Sequence, residues 1–276
     1  VMLVDSQMHV WGAHTEARPW PTEVRHIAHR ARPPDTSEVV AVLDAAGVDR
    51  AVLVPPSWEG DRNDVALAAA RAHPERLAVM GRVPLTDPDN AQRLPGWRDS
   101  PNMLGLRVTL HREPLRGAFL DGATEWFWAA AADARLPVMV YPPGLVREIG
   151  RVAARYPGLR IAVDHLAAPV DKNGAEAYAE LPSLLALARL PNVAVKASAQ
   201  PCHSRQPYPF TDVHEPLQRV IDAFGPHRVF WGSDWTRLPC SYADNLRFFE
   251  AALVGLSSEE IALTLGSALL RWLDWP

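Results

Sequence analysis

The chain has 276 residues, a net charge of -4 and 48% hydrophobic residues. Near-balanced charge gives no long-range pull toward nucleic acid or an anionic membrane, and no apolar run reaches the roughly 18 residues of a membrane span. Two cysteines, Cys202 and Cys240, do not make a disulfide framework or a thiolate metal centre, so a cytoplasmic protein is expected.

Short apolar runs recur with amphipathic segments between them. The runs are Met2–Gln7, Arg50–Val54, Leu77–Val83, Met103–Val108, Pro137–Tyr141, Arg160–Asp164, Asn192–Lys196 and Arg228–Gly232. Each is apolar nearly throughout, as expected of a strand buried on both faces. Helices are expected at Ser37–Ala46, Asp64–Ala72, Trp126–Ala134, Val146–Arg155, Ala175–Ala188, Glu215–Phe224 and Ala243–Val254. The segment Asp87–Asp99 is the weakest helix, interrupted by Pro95 and Gly96. Thr36 and Ser257 suit helix starts, and Gly47, Gly158 and Gly225 suit helix stops.

Strict β–α alternation implies parallel strands with right-handed crossovers. Eight units with no composition break predict an α/β fold, a (β/α)8 TIM barrel in one domain over residues 1–276. No Gly-x-Gly-x-x-Gly follows the first strand, which disfavours a dinucleotide-binding sheet.

In such a barrel the chemistry sits at the C-terminal strand ends. Those positions offer Asp5, Gln7 and His9; Pro55, Ser57 and Trp58; Arg82; Arg107; Tyr141; His165; Lys196 and Ser198; and Asp234 with Arg237. Gln7 and His9 stand two apart on a strand, so both face the same way. The plain alternatives are a loop-bonding role for His165 and a turn-capping role for Asp234.

Asp5-x-x-x-His9, Asp164-His165-x-x-x-Pro169 and Gly232-Ser233-Asp234-Trp235 resemble the amidohydrolase superfamily. Within it the chain is most similar to the lactonase branch that includes 2-pyrone-4,6-dicarboxylate lactonase, fuconolactonase and sulfomuconolactone hydrolase. His9-Val10-Trp11, Arg18-Pro19-Trp20-Pro21 and Val54-Pro55-Pro56-Ser57 add to the likeness, which spans essentially the whole chain. The superfamily pattern at strand one is His-x-His, and Gln7 departs from it. Arg107 and Tyr141 stand where metal-rich branches place further ligands. The resemblance therefore implies no binuclear centre. A single zinc or manganese ion on His9, His165 and Asp234 stays open as the alternative to no metal at all.

Ester hydrolysis needs a base for water, donors for the oxyanion and a grip on the substrate. Asp234 is expected to be the base, its pKa raised by partial desolvation. His9, His165 and the Gln7 amide would polarise the carbonyl. Arg107 is the best partner for a substrate carboxylate, with Arg82, Arg237, Lys196 and Ser198 also at the mouth. Trp11, Trp58, Trp235 and Tyr141 would wall a flat ring. The basic loop at residues 25–32 reads either as a solvated charge run or as a lid. His111, His203 and His214 lack ligand spacing, and Cys202 lacks an activating base.

The leading expectation is a catabolic hydrolase that opens a small, carboxylated lactone. The alternatives are a metal-dependent hydrolase or aromatic-acid decarboxylase of the same superfamily, and a non-catalytic barrel binding a small anion. No nucleic-acid or membrane partner is expected. The oligomeric state stays open, a homodimer included.

Overall fold

The computed structural model describes residues 1–276, and its eight strands form one sheet in chain order. They are β1 (Val4–Met8), β2 (Arg50–Leu53), β3 (Leu77–Gly81), β4 (Met103–Thr109), β5 (Val138–Tyr141), β6 (Ile161–Val163), β7 (Val193–Ser198) and β8 (Val229–Gly232). Every neighbouring pair from β1–β2 to β7–β8 is parallel. The expected (β/α)8 barrel is therefore present.

The seam between β8 and β1 is held by backbone and side chain together. The Asp234 amide donates to the Gln7 carbonyl at 2.9 Å, and the Ser233 amide donates to Oδ1 of Asp5 at 2.9 Å. Oδ1 also accepts from the Gln7 amide at 2.8 Å, while Oδ2 accepts from the Tyr242 hydroxyl at 2.8 Å. Asp5 is fully buried, so it is a structural tie across the seam rather than a mouth residue. Burial raises its pKa against the opposing donors Ser233, Gln7 and Tyr242. Gly232 is required at this seam because a Cβ there would meet Ser6 Oγ at 2.4 Å.

The core has two compartments. Val4, Val52, Ala78, Met80, Met139, Ala162, Ala194 and Phe230 fill the barrel, while alternate residues such as Leu53, Val79, Val140 and Trp231 pack outward beneath the helices. Beyond β8, Leu263, Leu269 and Leu273 of the C-terminal helical segment extend the interior cluster, closing the barrel opposite the site.

The helices are α1 (Thr36–Ala46), α2 (Asp64–Ala72), α3 (Leu115–Leu120), α4 (Glu125–Asp133), α5 (Val146–Arg155), α6 (Leu181–Ala186), α7 (His214–Phe224), α8 (Tyr242–Ala252), α9 (Ser258–Ala262) and α10 (Ala268–Leu273). None is long and apolar enough to cross a membrane. Ser257 makes a capping box with Glu260, and Gly47 ends α1 in the left-handed region at φ 68°. Four expectations need correction. The cap of α1 is Asp35, whose carboxylate accepts from the Glu38 amide. Segment Ala175–Ala188 is not one helix, because Pro182 has no N–H and must lie in a first turn, so α6 begins there. The helix α5 ends at Arg155, ahead of Pro157, and Gly158 does not stop it. Segment Asp87–Asp99 forms only two 3-10 turns, at Pro88–Arg93 and Trp97–Asp99.

Candidate active site

A bulge in β1 decides what faces the mouth. Val4 packs inside the barrel but Met8 packs outside it, so the inward parity changes within the register shift between Asp5 and Met8. Gln7 and His9 are thereby turned inward, as their two-residue spacing required. His165 and Asp234 leave β6 and β8 in the left-handed region, at φ 53° each. For residues with a Cβ this is strained backbone, worth about 1–3 kcal/mol per site, and it aims both side chains into the mouth.

These residues line a cavity of about 470 Å³ with Trp58, Arg107, Tyr141 and Arg237. Asp234 lines it with three nitrogen-bearing side chains around its carboxylate. Oδ1 is 3.0 Å from Nε2 of His9, Oδ2 is 3.8 Å from Nε2 of His165, and Oδ2 is 3.5 Å from Nε of Arg237. Nε2 of His9 is the near neighbour of Oδ1, a buried oxygen that no further group reaches by a hydrogen bond. Nδ1 of His9 faces the Val54 carbonyl at 2.6 Å, and a carbonyl only accepts, so Nδ1 carries a proton. The remaining nitrogen, Nε2, has a donor neighbour in the Gln7 amide at 3.2 Å and an acceptor neighbour in Asp234.

The expected rise in the Asp234 pKa is corrected. Burial does push it up, but the His9 contact and the nearby Arg237 and His165 outweigh burial and hold it well below the usual carboxylate range. Asp234 is an anion at neutral pH. His165 goes the other way, since burial pushes its pKa well down against the pull of Asp234 and Asp164.

Beneath the cavity runs a buried charge chain. Nε of Arg107 donates to Oδ2 of Asp164 at 2.9 Å, and Nζ of Lys196 lies 3.0 Å from Oδ1 of the same carboxylate. Lys196 also donates to Oε1 of Gln7, which assigns that amide: its oxygen points down and its NH2 points to His9 and the cavity. Burial lowers the Lys196 pKa despite Asp164. Burial would raise Asp164, yet Lys196 and Arg107 bring it from 3.8 down to about 2. A depressed carboxylate stabilises the fold fully above its unfolded pKa and loses that stabilisation as pH falls through the folded value. Stability from this chain should therefore hold above pH 3.8 and decay toward pH about 2. Carboxyl-carbon NMR checks it, with Asp164 expected to titrate below ordinary aspartates.

Several expected mouth residues do not line the cavity. Lys196 is wholly buried under Gln7. Ser198 spends its hydroxyl on Nδ1 of His165 at 2.8 Å. Arg82 is buried behind β4, where Nη2 donates to Thr109 Oγ1 at 3.0 Å and Nε lies 3.5 Å from Asp61. Trp11 packs edge-on to Trp58 at 5.1 Å, in a cluster with Trp20 that anchors the loop after β1. Trp235 also stands back from the cavity, under the Arg30 guanidinium at 4.3 Å. The reason is the same throughout: alternation sends a strand-end side chain inward, but depth decides whether it meets solvent or another charge.

Other residues line the cavity unforeseen. His111 and Arg112 follow β4, and Cys202 follows β7. His29 comes from the basic loop, which folds over the mouth: its Nδ1 is 2.7 Å from Thr236 Oγ1, and its ring lies 4.6 Å from Trp58. Burial lowers the pKa of His29 and of His111 to about 3 each, so both rings are neutral near pH 7. Charge at this loop had suggested solvent exposure or a lid, and the lid-like placement is the one adopted. His111 had no usable signal, because it lies three residues past a strand end that the sequence placed at Val108.

Such a barrel, with an anionic carboxylate between imidazoles at its C-terminal mouth, defines an acid–base site of the α/β-barrel enzyme class. The chain belongs to the amidohydrolase family, whose sequence model matches residues 4–268. It is 29% identical over 255 residues to an L-fucono-1,5-lactonase of Burkholderia ambifaria, covering 87% of this chain and 83% of that protein. It is 28% identical over 241 residues to a 4-sulfomuconolactone hydrolase of Hydrogenophaga intermedia, covering 84% of this chain and 73% of that protein. In structure it is similar to an amidohydrolase of Burkholderia multivorans crystallised with bound zinc. The TM-score is 0.83 at 22% identity over 100% of both chains, a likeness that concerns the fold.

Proposed function

We propose that this protein is a lactone hydrolase acting on a small anionic lactone, with Asp234 as the base and without a catalytic metal. The observation that carries the reading is the Asp234 carboxylate, ionised and buried, whose Oδ1 meets only Nε2 of His9 in a cavity ringed by donors. The lactonase relatives support the reaction class.

Arg107 spends Nε on Asp164, which leaves its two Nη groups for a substrate anion, and Arg112 faces the same cavity. Arg107, Arg112, Arg237 and Lys196 outnumber Asp164 and Asp234, so the region favours a negative ligand. Water adds to the lactone carbonyl and its proton passes to Asp234. The oxyanion is met by the Gln7 NH2 and by Nε2–H of His165, the tautomer that results when Ser198 donates to Nδ1. Collapse breaks the ring C–O bond, and Asp234 returns the proton to the alkoxide.

The fold family implies zinc or manganese. A ring nitrogen of His9, one of His29 and a carboxylate oxygen of Asp234 come within 4.8 Å of one another. Against an ion stand the Gln7 NH2, turned inward by Lys196, and the Arg237 guanidinium already 3.5 Å from Asp234. Donor hydrogens and a second cation are poor company for a divalent ion. The residues do not fit a metal, and no step runs through one.

The test is turnover of a panel of carboxylated and neutral lactones before and after chelation, with metal content measured on the same protein. Carboxylated lactones should open at an unchanged rate after chelation, with no stoichiometric metal. Activity that tracks a bound ion, carbon dioxide release from an aromatic acid, or anion binding without any ring opening would each overturn the reading.

A further inference from the structure

Oδ1 of Asp234, met only by Nε2 of His9, leaves one question of geometry: what holds the attacking water. His29 is the nearest group that no other role absorbs. It arrives on the loop after β1, far from the strand ends where the rest of the site is built, and lines the cavity half-buried. Its ring centroid lies 5.6 Å from that of His9 and 4.6 Å from that of Trp58. Three atoms no more than 4.8 Å apart, one each from His9, His29 and Asp234, leave room for a single oxygen at hydrogen-bond distance from all three.

We infer that His29 is a further catalytic residue, which together with Asp234 holds and orients the hydrolytic water. This rests on the lactone-opening reading above. Nδ1 of His29 is engaged by Thr236, a partner that fixes the ring and leaves Nε2 for the cavity. With Nδ1–H donating to Thr236, Nε2 is a lone-pair acceptor. The two hydrogens of the water then go to Nε2 of His29 and Oδ1 of Asp234, and an oxygen lone pair is left for the carbonyl carbon. On attack a carbon–oxygen bond forms and the hydrogen on the Asp234 side is transferred, while His29 keeps the other in place. The tilted contact with Trp58 limits how the ring can turn, and that tryptophan is itself buttressed by Trp11.

The experiment compares His29→Ala and His29→Gln with the wild-type protein on a lactone that the wild type opens. His29→Ala should lower kcat about 100-fold with KM within about threefold of wild type, the signature of lost water positioning. His29→Gln, whose amide oxygen can accept, should recover part of the loss. Thermal unfolding of both variants separates this from a packing defect at Trp58. A high-resolution crystal structure of the wild type should show an oxygen bridging Asp234 and His29, absent in His29→Ala. Wild-type kcat in His29→Ala, a rise in KM alone, or an anomalous-scattering metal peak at the bridging position overturns the inference. Loss of activity in Asp234→Asn with full activity in His29→Ala defeats the inference and leaves the lactonase reading standing. A bridging oxygen in a protein that opens no lactone does the reverse.

Discussion

Asp234→Asn is expected to lower kcat for lactone opening about 1000-fold, the middle of the range that a positioned base contributes. The substitution is nearly isosteric, so His9, His165 and Arg237 keep a polar neighbour and the cavity keeps its shape. What goes is the one anion that can take a proton from water at the centre of the site. Asp234 is a weaker base than a desolvated carboxylate would be, because His9, Arg237 and His165 stabilise its charge. Its contribution therefore rests on being ionised and in place, with the rest supplied by the donors around the oxyanion. Affinity for an anionic product should hold or rise, because a negative charge has been removed opposite Arg107 and Arg112. Steady-state kinetics with product-binding titration checks both halves. Normal turnover by Asp234→Asn would move the base elsewhere.

Lys196→Met should produce the largest loss of stability, about 3–5 kcal/mol, because it leaves Asp164 buried with one cation in place of two. It also frees the Gln7 amide, whose oxygen no longer has the ammonium that points it away from the cavity. Activity should fall through kcat, since a turned amide presents an oxygen to the oxyanion. Pairing the change with Asp164→Asn should restore part of the stability, because the stranded charge is then gone, and urea unfolding of both singles and the double measures the coupling. Restored stability without restored kcat would separate the two roles of Lys196. Strictly additive losses would show that the pair is not coupled.

Much of the barrel was legible in the sequence. All eight strands fall inside the expected apolar runs or within a residue or two of them, because a strand covered on both faces must be apolar along its length. Gln7, His9, Trp58, Arg107, Tyr141, His165, Asp234 and Arg237 were all readable as mouth residues from their strand-end positions, and all line the cavity. Arg82, Trp11, Lys196 and Ser198 occupy equivalent positions in the pattern yet stand behind or below it. Periodicity reports which face a side chain takes and says nothing of how deep it lies or which charge waits there. His29 and His111 were beyond reach for the opposite reason: they sit on loops, where no period predicts direction.

By itself, then, the sequence determined the alternation of strands and helices, the shared face of Gln7 and His9, and the set of polar strand ends. Those depend on residues near one another in the chain. The tertiary structure alone decided that Gln7 presents its NH2, that Asp234 is held below the usual carboxylate range rather than above it, and that the loop after β1 brings His29 to the centre. Each of these depends on a partner far away in sequence, Lys196 for Gln7, His9 and His165 for Asp234, Thr236 for His29. Orientation of an amide and ionisation of a carboxylate are set by the charges within a few ångströms, and only the closed barrel brings those charges together.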